Sequence, residues 1–244
     1  MSVIGETFTF DLEGLLLDAE KTRGAYQAAQ PFPHVVIDDF LAPAALDAAV
    51  AAFPPANSPV WLQQNSVVRG HPVSVKKACN EELQIPVLLR KILRELNCSL
   101  FLRFLSIATG IPLLLPDPLG SALFLIEPGG FLNAHADYSH HLNVELEHRV
   151  NLLLYFNPDW PEAYGGHLEF YRPGEPAPIQ TMLPIANRCV IFNSTAESYH
   201  GHPRPLTCPP DRMRNCLAVS YYTCARPEAP RHETLWTYNR HLPA

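Results

Sequence analysis

SALFLIEPGGFLNAHADYSHH, residues 121–141, is where the chain changes character. Upstream, apolar residues recur at helical spacing. Here a short β-rich run, SALFLIE, stops at Pro128, Gly129 and Gly130 and gives way to a polar segment with three histidines and one aspartate. His135 and Asp137 stand two apart, the interval that puts two side chains on the same face of a strand. Taken alone, the pair has two readings: half of a metal site, or a polar loop that happens to contain histidine.

Working outward, the β-rich pattern continues downstream. RVNLLLYF (149–156), GGHLEFY (165–171), RCVIFN (188–193) and CLAVSYYT (216–223) are short runs separated by Gly, Pro and Asn/Asp turns. Regular short strands of this kind predict a sandwich or small barrel whose open mouth is the place for a ligand pocket. Upstream, DLEGLLLDAEKTRGAYQAA (11–29) and NEELQIPVLLRKILRELNCSLFLRFLSIATG (80–110) predict helices, the second with Pro86 early and Gly110 at its end. Between them HVVIDDFL is a short strand candidate and APAALDAAVAAF an alanine-rich helix. The plan is α+β: a single domain over 1–244, with 1–119 mainly helical support, 120–226 a β-core and 227–244 a C-terminal tail. RHETLWTYNRHLPA reads as a strand followed by a tail packed on the helical half. Residues 55–80 and 138–148 read as loops with no interpretable motif.

The composition narrows the function classes. With 47% hydrophobic residues, 17% charged residues and a formal net charge of −6, the chain resembles a soluble globular protein. It has no basic block to suit nucleic acid. No apolar run approaches the roughly 20 residues that span a bilayer, and the N-terminus lacks the pattern of a secretory signal. A cytoplasmic location is expected, without nucleic-acid or membrane partners. The six cysteines form no CxxC pair and read as reduced thiols. The 25 prolines punctuate loops.

The chemistry-bearing residues lie downstream of the HxD pair. His200 comes 63 residues after Asp137, in IFNSTAESYHGHP. Two imidazoles and one carboxylate on one face of an octahedron leave three positions open, a ligand set that points to non-heme iron oxygenases. Arg214 comes 14 residues after His200, at the opening of the last β-run. An arginine there can pair bidentately with a carboxylate of a small dicarboxylate cosubstrate.

Over residues 120–226 the chain resembles the iron(II)/2-oxoglutarate-dependent dioxygenase superfamily, in its prolyl-hydroxylase-like branch. The matching segments, in order, are EPGGFLNAHAD, RVNLLLYFNPDW, GGHLEFY, RCVIFNSTAESYHGHP and RMRNCLAVSYY. The resemblance implies a double-stranded β-helix (jelly-roll, cupin-like) core with supporting N-terminal helices. It implies iron(II) on His135, Asp137 and His200, with 2-oxoglutarate and dioxygen as cosubstrates and Arg214 on the distal carboxylate. Tyr155 falls where relatives often place a tyrosine reaching that carboxylate; it also reads as a half-buried strand aromatic. Asp137 favours hydroxylation over halogenation, because related halogenases have a small residue in its place.

The implied reaction hydroxylates an unactivated C–H bond of an amino acid, a peptidyl residue such as proline, or a small metabolite, releasing succinate and carbon dioxide. A cupin-like metal protein without 2-oxoglutarate turnover is the alternative. His202, two residues past His200, is a rival for the third ligand; His200 is preferred because relatives commonly read H-G-V-x-P here, so that His202 replaces a valine and reads as a substrate-pocket or a strand-end residue. His140 and His141 read as a solvated loop or as substrate contacts. Arg149 reads as a structural salt bridge or a clamp on a substrate carboxylate. In many prolyl-hydroxylase relatives a tyrosine stands just before the Pro-Gly that leads into HxD. Here Ile126 and Glu127 precede it, so contacts to the cosubstrate from that strand are open.

Overall fold

The computed structural model describes residues 8–117, 122–141, 143–225 and 230–237. Helices α1 (Leu12–Leu17) and α2 (Ala19–Ala28) lead into strand β1 (His34–Ile37) and helix α3 (Pro43–Ala52). Asp11 caps α1 by accepting a hydrogen bond from the Gly14 amide, and Pro43 opens α3, where its missing N–H has no helical partner to lose. Four short strands come next: β2 (Leu62–Gln63), β3 (Ser66–Val68), β4 (His71–Val75) and β5 (Lys77–Cys79). Helices α4 (Val87–Leu96) and α5 (Ser99–Thr109) precede β6 (Leu115–Pro116), β7 (Ala122–Ile126), β8 (Phe131–Ala136) and β9 (Glu147–Tyr155). The remaining strands are β10 (Leu168–Tyr171), β11 (Gln180–Met182), β12 (Cys189–Asn193), β13 (Tyr199–His202), β14 (Arg214–Thr223) and β15 (Leu235–Trp236).

The strands form two antiparallel sheets. One runs β1-β12-β9-β14-β7-β5-β2 with β6 added on β14; the other runs β11-β10-β13-β8-β4-β3 with β15 added on β8. From β7 to β9 the chain crosses between sheets at every step, and β12, β13 and β14 do so again. The result is a double-stranded β-helix. Strand period explains the apolar runs. Val150, Leu152 and Leu154 of β9 join Phe101, Phe104 and Leu105 of α5 in the core outside the first sheet. Tyr155, on the opposite face, meets Phe170, Phe192 and Cys216 between the sheets. A strand covered on both faces has few positions left for polar residues. Each fully buried Phe or Leu contributes about 1.5–3 kcal/mol.

Three expectations change. The helical pattern of 80–110 is two helices, because Asn97 turns its N–H back onto the last carbonyls of α4 and Cys98 is extended. The break lets both apolar stripes reach one core, whereas a straight helix over that span would extend about 45 Å. Gly110 ends α5 in the left-handed region, φ 74°. The presumed loop at 55–80 contains β2 to β5, which extend both sheets. The C-terminal segment packs on β8 rather than on the helical half, with Leu235 opposite Ala136 and Trp236 opposite His135. The rest of that tail lies outside the described residues. No described helix is long and apolar enough to cross a membrane.

Candidate metal centre

Strand register brings the first two imidazoles together. His200 on β13 pairs directly with His135 on β8, so both rings project between the sheets, with centroids 4.6 Å apart. Each ring is fixed by its own strand. His135 Nδ1 donates to the Asn133 carbonyl at 2.9 Å and His200 Nδ1 to the Ser198 carbonyl at 3.0 Å. A carbonyl can only accept, so Nδ1 carries the proton and the Nε2 lone pair faces inward. Asp137, just past the end of β8, completes the set. Its Oδ1 lies 3.3 Å from His135 Nε2 and its Oδ2 3.6 Å from His200 Nε2. One ligand atom from each of the three lies within 4.8 Å of the others. This nitrogen, nitrogen, oxygen donor set on one side of a cavity suits iron(II).

The electrostatics leave the donors ready for a cation. Burial by itself would raise the Asp137 carboxyl, but His200 and His135 outweigh it and hold the group well below the usual carboxylate range. Burial pushes His200 down to about 4. An ionised carboxylate beside a neutral imidazole is the protonation state that metal binding needs. Asn151, on the inner face of β9, donates from Nδ2 to Asp137 Oδ2 at 2.7 Å and accepts from His148 Nε2 at 3.0 Å. Asn151→Leu is expected to weaken divalent-metal affinity about 10- to 100-fold, as loss of such an outer contact usually does. A competition titration against a metal indicator, with the circular dichroism spectrum unchanged, checks this.

The inner face of β14 carries a buried cation. Arg214, 4% exposed, donates from Nε to the Gly166 carbonyl at 2.7 Å and from Nη2 to the Tyr155 hydroxyl at 3.3 Å. Its guanidinium also lies over the Tyr155 ring, 4.9 Å from the centroid. Among the described residues it has no carboxylate partner. Gly166 is required for this approach: its φ is 72°, and a Cβ there would lie 2.9 Å from Arg214 Cδ. Burial raises the Tyr155 hydroxyl far above its ordinary value, which keeps it a donor.

The structure separates the other sequence candidates. His141 is buried rather than solvated, with Nε2 3.5 Å from Asp117 Oδ1 and its ring edge-on to Tyr222. His140 is partly buried and bridges to Glu147, so neither histidine belongs to an exposed loop. Arg149 donates from Nη1 to Thr223 Oγ1 at 3.0 Å, which ties β9 to the end of β14. His202 is buried two residues from His200 on β13, past a register shift that sets His200 opposite His135 and His202 opposite Leu132 on β8.

Sequence reading missed Asn151, Lys76 and Trp236. Asn151 had a signal, a polar residue in the middle of the apolar run RVNLLLYF. Lys76 and Trp236 had none, because each reaches the cavity only through sheet pairing. Trp236 stacks on the His135 ring, centroids 4.7 Å apart.

Comparison with known proteins places this geometry. Residues 121–222 match the family model described as the 2OG-Fe(II) oxygenase superfamily. No curated protein matches the sequence. Among solved structures, the chain is similar to a prolyl hydroxylase from Trichoplax adhaerens, in complex with a hypoxia inducible factor oxygen degradation domain peptide, at 17% identity. The TM-score is 0.60, with 85% of this chain and 91% of that one covered. It is also similar to a Phytophthora capsici prolyl 4-hydroxylase at 20% identity, TM-score 0.58, covering 91% of this chain and 68% of that one. A third similar structure is the non-heme alpha-ketoglutarate-dependent epimerase SnoN from nogalamycin biosynthesis. The identity is 14% and the TM-score 0.55, with 84% and 81% of the two chains covered. These likenesses establish a shared fold.

Proposed function

We propose that the chain is a hydroxylase of the 2OG-Fe(II) oxygenase superfamily, whose family model matches residues 121–222, acting on an amino acid, a peptidyl residue such as proline, or a small metabolite. One observation carries the reading. A His, Asp, His set lies between the sheets, and the inner face of β14 adds a buried arginine that has no carboxylate partner among the described residues. A β-roll that merely stored a metal has no use for the arginine.

When bound, iron(II) with 2-oxoglutarate and dioxygen supplies the oxidising chemistry, and the protein supplies position and exclusion of water. His135, Asp137 and His200 would hold the metal. Arg214 presents a planar fork to the distal carboxylate of the cosubstrate, and the protonated Tyr155 hydroxyl adds a donor beside it. Trp236 and Phe192 cover the imidazoles of His135 and His200, which keeps water from them. Tyr138, His148 and Tyr222 form a wall at the opposite end of β14 from Arg214. There the two tyrosine hydroxyls lie 3.3 Å apart and His148 stacks on Tyr222. His141 belongs to the same wall. The six unpaired thiols support a reducing, cytoplasmic location.

Anaerobic addition of iron(II) and then 2-oxoglutarate tests the reading. A weak visible metal-to-ligand charge-transfer band is expected, followed by succinate formation on admitting oxygen with a substrate. A protein that binds iron but gives neither band nor succinate is the cupin-like alternative.

A further inference from the structure

The space between the triad and Arg214 contains two more polar groups with no assigned task. His202 is 3% exposed, yet neither of its ring nitrogens has a hydrogen-bond partner. Buried polar atoms in folded proteins are nearly always paired, so such an imidazole marks the place of a ligand or an ordered water. Its position is built into the strand. A Cβ on Gly201 would lie 2.7 Å from the Leu132 carbonyl, so β13 runs hard against β8 at the residue before His202. The second group is Lys76, at the link between β4 and β5. Its ammonium sits 4.0 Å above the centre of the Phe124 ring, and no carboxylate among the described residues forms an ion pair with it.

Register makes these two observations one. Phe124, under the Lys76 ammonium, pairs with Cys216, two residues from Arg214 on β14, and His202 lies two residues from His200 on β13. Both groups border the span between the metal position and the arginine. That span has two side-chain cations, Lys76 and Arg214, against one carboxylate, Asp137. A divalent metal adds to the excess. A pocket of that sign concentrates anions, and a dianion balances it best.

We infer that Lys76 and His202 are cosubstrate-positioning residues, which flank the dicarboxylate between the metal and Arg214 and hydrogen-bond to it. The inference rests on the 2-oxoglutarate reading of the cavity. After the metal and the guanidinium fork have taken their oxygens, a 2-oxo dicarboxylate still has carboxylate lone pairs to fill. An ammonium and an imidazole N–H are the groups that fill them. Ile126 and Glu127 stand where many relatives have a tyrosine, and Lys76 supplies a polar contact from the neighbouring strand pair instead. Ala78 of β5 and Phe124 of β7 lie side by side there.

The test is the dissociation constant of 2-oxoglutarate, read anaerobically from the charge-transfer band of the iron(II) protein and by calorimetry on the zinc(II) protein. Lys76→Met should raise it about 10- to 100-fold, the loss of one charge-assisted hydrogen bond. His202→Val should raise it about 3- to 10-fold, the loss of a neutral one. Lys76→Arg and His202→Gln keep a donor and should restore most of the affinity, while metal affinity without 2-oxoglutarate stays unchanged in all four. Unaltered 2-oxoglutarate affinity in Lys76→Met and His202→Val overturns the inference and leaves the dioxygenase reading standing. So does a loss that extends to metal binding, or one that the conservative variants share, since either assigns the residues to the scaffold. If the unmodified protein binds iron but not 2-oxoglutarate, both readings fall together.

Discussion

Asp137→Ala is expected to lower iron(II) affinity by more than about 100-fold and to abolish succinate formation. Loss of an outer contact to a ligand costs about 10- to 100-fold, so loss of the ligand itself exceeds that range. The carboxylate is also the only negative charge of the triad, and its removal leaves two imidazoles that do not neutralise a divalent ion. Asp137→Asn separates the metal from the scaffold. It keeps an acceptor for Asn151 Nδ2, which donates to Asp137 at 2.7 Å, and removes only the charge. It should lose the metal while its metal-free unfolding midpoint stays near that of the unmodified protein. Binding is read from the electron paramagnetic signal of free manganese(II) and stability from urea unfolding. Unchanged metal affinity in both variants removes Asp137 from the site.

Arg214→Met is the second large effect, and it falls on the cosubstrate. Methionine fills much of the space of the buried stem and leaves the distal carboxylate of 2-oxoglutarate in a closed cavity without its cation. Breaking a buried charge pair costs about 3–5 kcal/mol, or roughly two to three and a half orders of magnitude in dissociation constant. Metal affinity should not change, because Arg214 touches Gly166 and Tyr155 and none of the three proposed ligands. Arg214→Lys keeps the charge but not the fork, and should recover part of the loss. The charge-transfer titration reads both. Wild-type affinity in Arg214→Met would place the distal carboxylate elsewhere.

The two experiments divide the site along the line between what sequence makes legible and what it does not. His135 and Asp137 declare a shared strand face by their interval, and His200 and Arg214 come on later β-runs in an order that has a chemical meaning. Asn151 was visible as a lone amide in an apolar strand, but nothing local said that it would hold Asp137. His141 had two readings, a solvated loop or a substrate contact, for a related reason: nothing local shows that Asp117 and Tyr222 cover it. The strands at 62–79 were illegible because they are short and their apolar content is low; they exist by pairing on strands already formed.

By itself the sequence determined the α+β plan and the β-core, which depend on periods within single elements, where the side-chain direction is set by backbone geometry alone. The proposed metal ligands and the arginine came from the HxD interval, the order of the later β-runs and the resemblance that they carry. Only the tertiary structure decided which groups share the cavity with them. Lys76 and Trp236 reach it because β4, β5 and β15 pair at particular registers with strands far away in sequence. A one-residue slip in any of those registers would turn the same side chain to the opposite face. Register is set by the packing of the whole roll, so no local stretch of residues contains it.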